Sequence, residues 1–368
     1  FKEGILLKDQ DLYQQVAYKL YKILIPVTLP KSIKSLIIIP SGELTSLPFE
    51  ALLTQPGSKN LKKSNAYLLN RYNISYAYSA WLLYERLIQE NENAPKHLLA
   101  MAPVFADSLE MNEAAIVHSD SSLKKFNSNN KTEPLTGNKF FHFGTSKKTF
   151  REPFFRKTKP QLSDKLERTQ NSDVLYDQDV MPLIASEREV TSIAGLFQSM
   201  GADTRVLLYH QASEDQIKSP EASGYNYIHL ATHGFVNEKF PELSGLLLSR
   251  DNTHQEDGVL YTGEIYNMRL KADLITLSAC ETGLGKLAQG EGVIGITRAL
   301  LYAGAKNVIV SLWKVNDRST ADLMVFFYKE LLSGKDKATA LQIAKRKLIK
   351  QGRYTLPFYW APFILIGK

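Results

Sequence analysis

The sequence predicts an α/β protein built on a mainly parallel sheet. Three observations carry that expectation. Apolar runs of strand length alternate with stretches of helical apolar spacing over most of the chain. The stretch 225–314 holds three such runs, ending in Ala231-Thr232-His233-Gly234, in Ala279-Cys280-Glu281-Thr282-Gly283 and at Trp313. No self-similarity of solenoid period appears, so the elements belong to one packed sheet and not to a stack of repeats.

The first helix is expected over 11–25, where Leu12, Val16, Leu20, Ile23 and Leu24 share a broad face and Pro26 and Pro30 stop it. A strand follows at 35–40. Residues 41–52 then make a glycine turn and a short helix with Pro48 in its first turn. A polar loop is expected at 57–65, a strand at 72–78, a helix at 79–91 and a strand at 97–103. From 107 to 179 the pattern fails: Ser, Asn, Lys and Thr dominate, as in Asn127-Ser128-Asn129-Asn130-Lys131. Such a stretch buries little apolar surface and reads as a surface insertion or a regulatory, protease-sensitive loop. Order returns with a helix over 186–200, opened by a Ser186/Glu189 capping box. A strand at 205–209 and a short helix at 213–218 precede the central stretch. Residues 243–248 and 258–265 are short additions within it. Helices at 319–332 and 338–349 and a strand at 362–366 close the chain. The organisation is therefore an N-terminal half (1–106), a polar insertion (107–179) and a C-terminal half (180–368).

With 368 residues and 44% apolar side chains, a sizeable core is expected. No run of 18 apolar residues exists, so no membrane span is expected. The chain begins at Phe1 without signal-peptide architecture, which points to further sequence upstream. The net charge of +7 raises the question of nucleic acid. The excess is scattered, densest between Lys124 and Lys165, and lacks the aromatic interleaving that stacks bases, so it reads as a solvated basic loop. Cys280 is the only cysteine, which rules out an intramolecular disulfide and a thiolate zinc cluster and suits a reducing, cytoplasmic setting.

The chemistry concentrates at His233 and Cys280. In an open parallel sheet, sites form beyond the carboxyl ends of the strands. Both residues fall there, 47 positions apart, on strands that can be neighbours at about 4.8 Å. A neutral imidazole beside a thiol accepts its proton, and the thiolate is the nucleophile. Gly234 lacks a Cβ, so a carbonyl can approach its N–H; with the N–H of Cys280 it makes a candidate oxyanion hole. No acidic third member is evident, so the expectation is a dyad, with neither metal nor cofactor. A lone cysteine is ordinarily a small buried hydrophobe; its place at a strand end before a glycine-rich turn favours chemistry. His229, earlier on the strand of His233, reads as core.

These motifs, with Gly290-Glu291-Gly292-Val293, Ala303-Gly304-Ala305 and Ser311-Leu312-Trp313-Lys314-Val315-Asn316-Asp317, resemble the CHAT domain, a caspase-like cysteine protease family related to separases. Ser41 to Leu52 and Ser75 to Ala80 resemble the family's N-terminal half. The resemblance implies a caspase-like sheet with a pseudo-caspase-like N-terminal half and an endopeptidase acting on a specific protein partner. Helical tetratricopeptide repeats upstream, or a regulatory partner, and bacterial signalling or defence are implied as well. By the same resemblance Ser278, Trp313 and Asp317 flank the pocket for the residue before the cut, where an aspartate selects a basic residue. The alternative role for Asp317 is N-cap of the helix that follows. Ser278 and Lys314 stand where caspases carry glutamine and arginine, which argues against strict aspartate specificity. The turn 283–292 is the expected activation loop.

Two other readings compete. Gly290-Glu291-Gly292-Val293-Ile294-Gly295 matches the dinucleotide fingerprint, but that motif must follow its strand directly and here lies ten residues late. A catalytically silent scaffold that binds partner proteins is the second alternative.

Overall fold

The structure, a computed structural model, describes residues 1–56, 66–88, 96–105, 180–237, 239–250, 256–278, 280–281 and 291–368, with backbone alone at 85–88, 280–281 and 291–293. In chain order come α1 (Lys2–Leu6), α2 (Gln10–Leu24), β1 (Ser35–Ile38), β2 (Asn73–Tyr76), α3 (Ala80–Ile88) and β3 (Leu98–Ala102). Next are α4 (Ile184–Gln198), β4 (Thr204–Leu208), α5 (Glu214–Lys218), β5 (Tyr227–Leu230), β6 (His233–Phe235), β7 (Gly245–Leu247), β8 (Val259–Tyr261) and α6 (Thr262–Ile265). The chain ends with β9 (Leu274–Leu277), β10 (Cys280–Glu281), α7 (Glu291–Tyr302), β11 (Val308–Ser311), α8 (Asp317–Leu332), α9 (Lys337–Lys350), α10 (Pro357–Trp360) and β12 (Phe363–Ile366).

An eight-stranded sheet runs β1-β2-β12-β11-β9-β5-β3-β4. All its neighbours are parallel except β11 and β12, so two parallel blocks meet at one antiparallel seam. The central strands Leu274–Leu277, Val308–Ser311 and Phe363–Ile366 are buried at every residue. Continuous apolar runs of this kind are what a sheet covered on both faces requires. The strand β3, on the N-terminal side of the expected insertion, pairs with β4 and β5 beyond it, so both expected halves share one sheet. The regions 57–65, 107–179 and 283–290 lie outside the described residues.

Local corrections follow from packing. The buried stripe of α2 is Tyr13 and Ala17, while Ile23 is 70% exposed, so the expected apolar face is rotated. Tyr13 sets that rotation: its hydroxyl reaches inward and donates to the carbonyl of Ala51. Helix α4 starts two residues early, with Leu183 as N-cap. That places Ser186 inside the first turn, where its hydroxyl donates to the Leu183 carbonyl, and no capping box forms. Glu189 faces the core instead. Gly304 sits at φ +113°, where a Cβ would fall 1.9 Å from the Leu270 carbonyl oxygen; only glycine fits that close approach.

The apolar runs bearing His233 and Cys280 are not single strands. Each breaks, after β5 and after β9, and resumes as a short strand of a second sheet, ordered β10-β6-β7-β8. The additions expected at 243–248 and 258–265 supply β7 and β8, and so build this second sheet.

Candidate active site

The break conserves register. Leu230 pairs with Leu277 in the main sheet, and His233 pairs with Cys280 in the small one, an offset of 47 in both cases. The two strands therefore leave the carboxyl edge of the main sheet together. Adjacent strands lie about 4.8 Å apart, so the backbone sets His233 and Cys280 side by side. Gly234, buried in β6, pairs with Glu281 on one side and Leu246 on the other.

His233 is buried at 1% exposure. Its Nε2–H donates to the Met181 carbonyl oxygen at 2.7 Å. That bond makes Nδ1 the acceptor nitrogen, and Nδ1 has no hydrogen-bond partner among the described residues. Burial pushes the pKa of the ring down to about 4; the carbonyl opposes the shift and the nearby Lys314 ammonium adds to it. Near neutral pH the imidazole is thus uncharged, with one nitrogen oriented and the other open to a proton. The orienting group is a backbone carbonyl 52 residues away, so no side-chain pattern in the sequence announces it. Lys314 also donates to the Met181 sulfur at 3.6 Å.

Beneath this pair lies a closed polar network. His229, fully buried, donates from Nε2 to Glu189 Oε1 at 2.7 Å. The Tyr328 hydroxyl lies 3.3 Å from His229 Nδ1 and 2.8 Å from Thr276 Oγ1. Ser278 Oγ approaches His229 Nε2 at 3.4 Å. Burial of such groups is tolerated because each finds a partner. Glu189 is the residue the sequence placed in a cap; its burial on the sheet side of α4 is a tertiary fact.

The remaining expected pocket residues are tied into the frame. Trp313 is buried and its indole N–H donates to the Phe358 carbonyl at 3.1 Å. The N-cap of α8 is Asn316, whose side chain accepts from the Ser319 N–H. Asp317 stands one residue inside, and its carboxylate accepts from the Ala185 N–H at 2.6 Å, capping α4 in trans. Burial and the neighbouring Glu189 raise its pKa, while that hydrogen bond and nearby Arg188 and Arg318 pull the other way.

Among the described residues, Glu214, Glu256 and Glu264 bring carboxylates close enough to hold a metal. Lys218 occupies that position as a cation: its ammonium bonds Glu214 and lies 3.1 Å from both Glu256 and Glu264. Burial and the Glu264 charge nevertheless push Glu214 up to about 8. The dinucleotide-like glycines do not follow a main-sheet strand: β9 ends at Leu277, and α7 begins at Glu291.

The CHAT domain family profile matches residues 14–368. Tetratricopeptide repeat protein 28 of Homo sapiens is 33% identical over 110 residues, 30% of this chain and 4% of that protein. Its Mus musculus counterpart is 31% identical over 110 residues, with the same coverage of 30% and 4%. The chain thus spans only a small part of the curated relatives it matches. Among solved structures, a chain of the Saccharomyces cerevisiae separase–securin complex is similar at TM-score 0.44 and 13% identity, over 94% of this chain and 16% of that one. The arginine-specific cysteine proteinase gingipain R is similar at TM-score 0.44 and 10% identity, over 98% of this chain and 67% of that one. Likenesses this distant transfer no residue roles.

Proposed function

For a chain that belongs to the CHAT domain family, we propose cysteine endopeptidase chemistry on a specific protein partner, with Cys280 as nucleophile and His233 as acid and base. The observation that carries this reading is the in-register pairing of His233 with Cys280, joined to a buried imidazole whose Nδ1 is unpartnered among the described residues.

The thiol proton passes to His233 Nδ1 as the sulfur attacks the scissile carbonyl carbon. The N–H groups of Gly234 and Cys280 are the donors assigned to the oxyanion. Collapse breaks the C–N bond, and His233 returns the proton to the departing amine, leaving a thioester. Water then attacks the thioester carbon while His233 takes its proton. The acid product leaves and the thiol is restored. A neutral imidazole at rest suits it to accept the thiol proton. Met181 keeps the ring oriented throughout.

Ser278, Trp313 and Asp317 are assigned to the wall for the residue before the cut, and their bonds to His229, Phe358 and Ala185 hold them in the frame. An upstream helical repeat region or a separate regulatory protein is the proposed source of substrate delivery, supported by the repeat-protein name of the curated relatives. Bacterial signalling or defence in the cytoplasm is the proposed setting. No described helix is long and apolar enough to cross a membrane.

The test is a cleavage screen. The parent and Cys280→Ala are incubated with a proteome-derived peptide library, and new termini are read by mass spectrometry. Cuts made by the parent alone support the peptidase. Equal cutting by Cys280→Ala sinks it, and retained partner binding without cuts under any activating condition favours the scaffold.

A further inference from the structure

Two segments outside the His233 strand converge on its imidazole, residues 103–105 and 180–183. The Phe105 N–H donates to the Pro103 carbonyl at 2.7 Å, closing a three-residue turn around Val104. Val104 has φ +63° and Phe105 has φ +55°. A three-residue turn with positive φ at its centre is the rare, strained hand of γ-turn. A β-branched residue there is a steric outlier, and glycine would relieve it. The surroundings enforce the strain. The Leu183 N–H donates to the Val104 carbonyl at 2.8 Å, and Val104 is itself buried.

The turn delivers one thing: the Phe105 ring, 5.3 Å from the His233 ring between centroids and tilted by 32°. The same pairing of segments brings the Met181 carbonyl to His233 Nε2. The imidazole is therefore held at its edge by a carbonyl and across its face by an aromatic ring. Lys314 is the charge that bears on it, and Cys280 is its neighbour on the paired strand. Backbone strain concentrated beside a reacting group is where function is sought.

We propose that Phe105 is a positioning residue for His233: the strained turn at Val104 presses its ring onto the imidazole, fixing the ring plane and excluding water. The assignment rests on His233 being the acid and base of the proposed reaction. The decisive readout needs no turnover. Protein labelled with ¹³C at histidine Cε1 is titrated by NMR, with the His233 signal identified by its loss in His233→Asn. The parent keeps the ring neutral down to about pH 4. Phe105→Ala is expected to raise the midpoint by at least about one pH unit toward the ordinary value, because water reaches the ring. Phe105→Tyr restores the parent midpoint. Where cleavage is measurable, Phe105→Ala lowers kcat roughly tenfold or more with KM little changed, since misplacement of this size acts on chemistry. Phe105→Leu keeps a sizeable apolar side chain but lacks the ring face; it shifts both readouts in the same direction should the alanine variant fail to fold. A His233 midpoint within about 0.3 pH unit of the parent in both Phe105→Ala and Phe105→Leu, with kcat within about twofold where cleavage is measurable, would overturn the proposal. A chain with no peptidase activity would defeat the functional reading but leave the titration to decide the role of Phe105.

Discussion

The buried pair Glu50–Lys345 is a sharp test of what joins the N-terminal residues to the rest of the sheet. Glu50 is 2% and Lys345 1% exposed, with Nζ to Oε1 at 2.9 Å. The Tyr76 hydroxyl donates to Glu50 Oε2 at 2.5 Å and accepts from the Phe49 N–H at 2.8 Å. The pair so ties the 3-10 turn Phe49–Ala51 and β2 to α9. Burial pulls the Lys345 pKa down, and Glu50 opposes that shift. Removing one partner strands a buried charge, which costs about 3–5 kcal/mol. That is a large share of a native stability of about 5–15 kcal/mol. Replacing both, as Glu50→Leu with Lys345→Met, leaves no charge to strand and costs only the bond the Tyr76 hydroxyl donates, at about 1–3 kcal/mol, while that oxygen still accepts from the Phe49 N–H. The double variant is therefore expected to be more stable than either single one. Urea unfolding of the four proteins at pH 7, followed by circular dichroism, gives the cycle. Additive losses, or single variants each costing under about 1 kcal/mol, would refute the reasoning.

Three further outcomes are expected. His233 is held at about 4 against an ordinary 6.5, so between these values the unfolded chain binds a proton that the native one does not. The stability present above pH 6.5 is lost as pH falls toward 4, about 3 kcal/mol in full, and His233→Asn should flatten that slope in unfolding curves taken from pH 7 to 4.5. Gly304→Ala places a Cβ against the Leu270 carbonyl at a φ of +113°, and should destabilise by about 3 kcal/mol or more in thermal unfolding; a loss under about 1 kcal/mol would mean the turn yields. Asp317→Asn keeps an acceptor for the Ala185 N–H, so unfolding midpoints should barely move, while cuts after basic residues should fall at least about tenfold in the peptide screen. An unchanged cleavage profile would return Asp317 to helix capping alone.

Much of the architecture was legible from local pattern. Buried strands such as Leu274–Leu277 and Val308–Ser311 announce themselves as short apolar runs, and His233 and Cys280 stand at such run ends. Residue type and spacing suffice there because burial on both faces leaves few alternatives. Which face α2 buries was not legible, since its outer face also carries apolar residues and only the Tyr13 bond to Ala51 decides between them. Ser186 and Glu189 read locally as a capping box, and an N-cap was one of the two roles open to Asp317, since a cap is the nearest explanation a sequence offers. Glu189 instead meets His229, and Asp317 meets Ala185, across gaps of 40 and 132 residues.

The sequence by itself determined the fold class and the CHAT relationship, and it singled out His233 and Cys280 as the candidate dyad. Tertiary structure alone decided how they meet. It broke two apolar runs and carried both ends, in unchanged register, into a second sheet. It also supplied the Met181 carbonyl that leaves His233 Nδ1 as the acceptor nitrogen, and the burial that holds the ring neutral. The physical reason is that a backbone carbonyl has no side-chain signature and a depressed pKa comes from exclusion of water. Both arise only once distant segments are packed together.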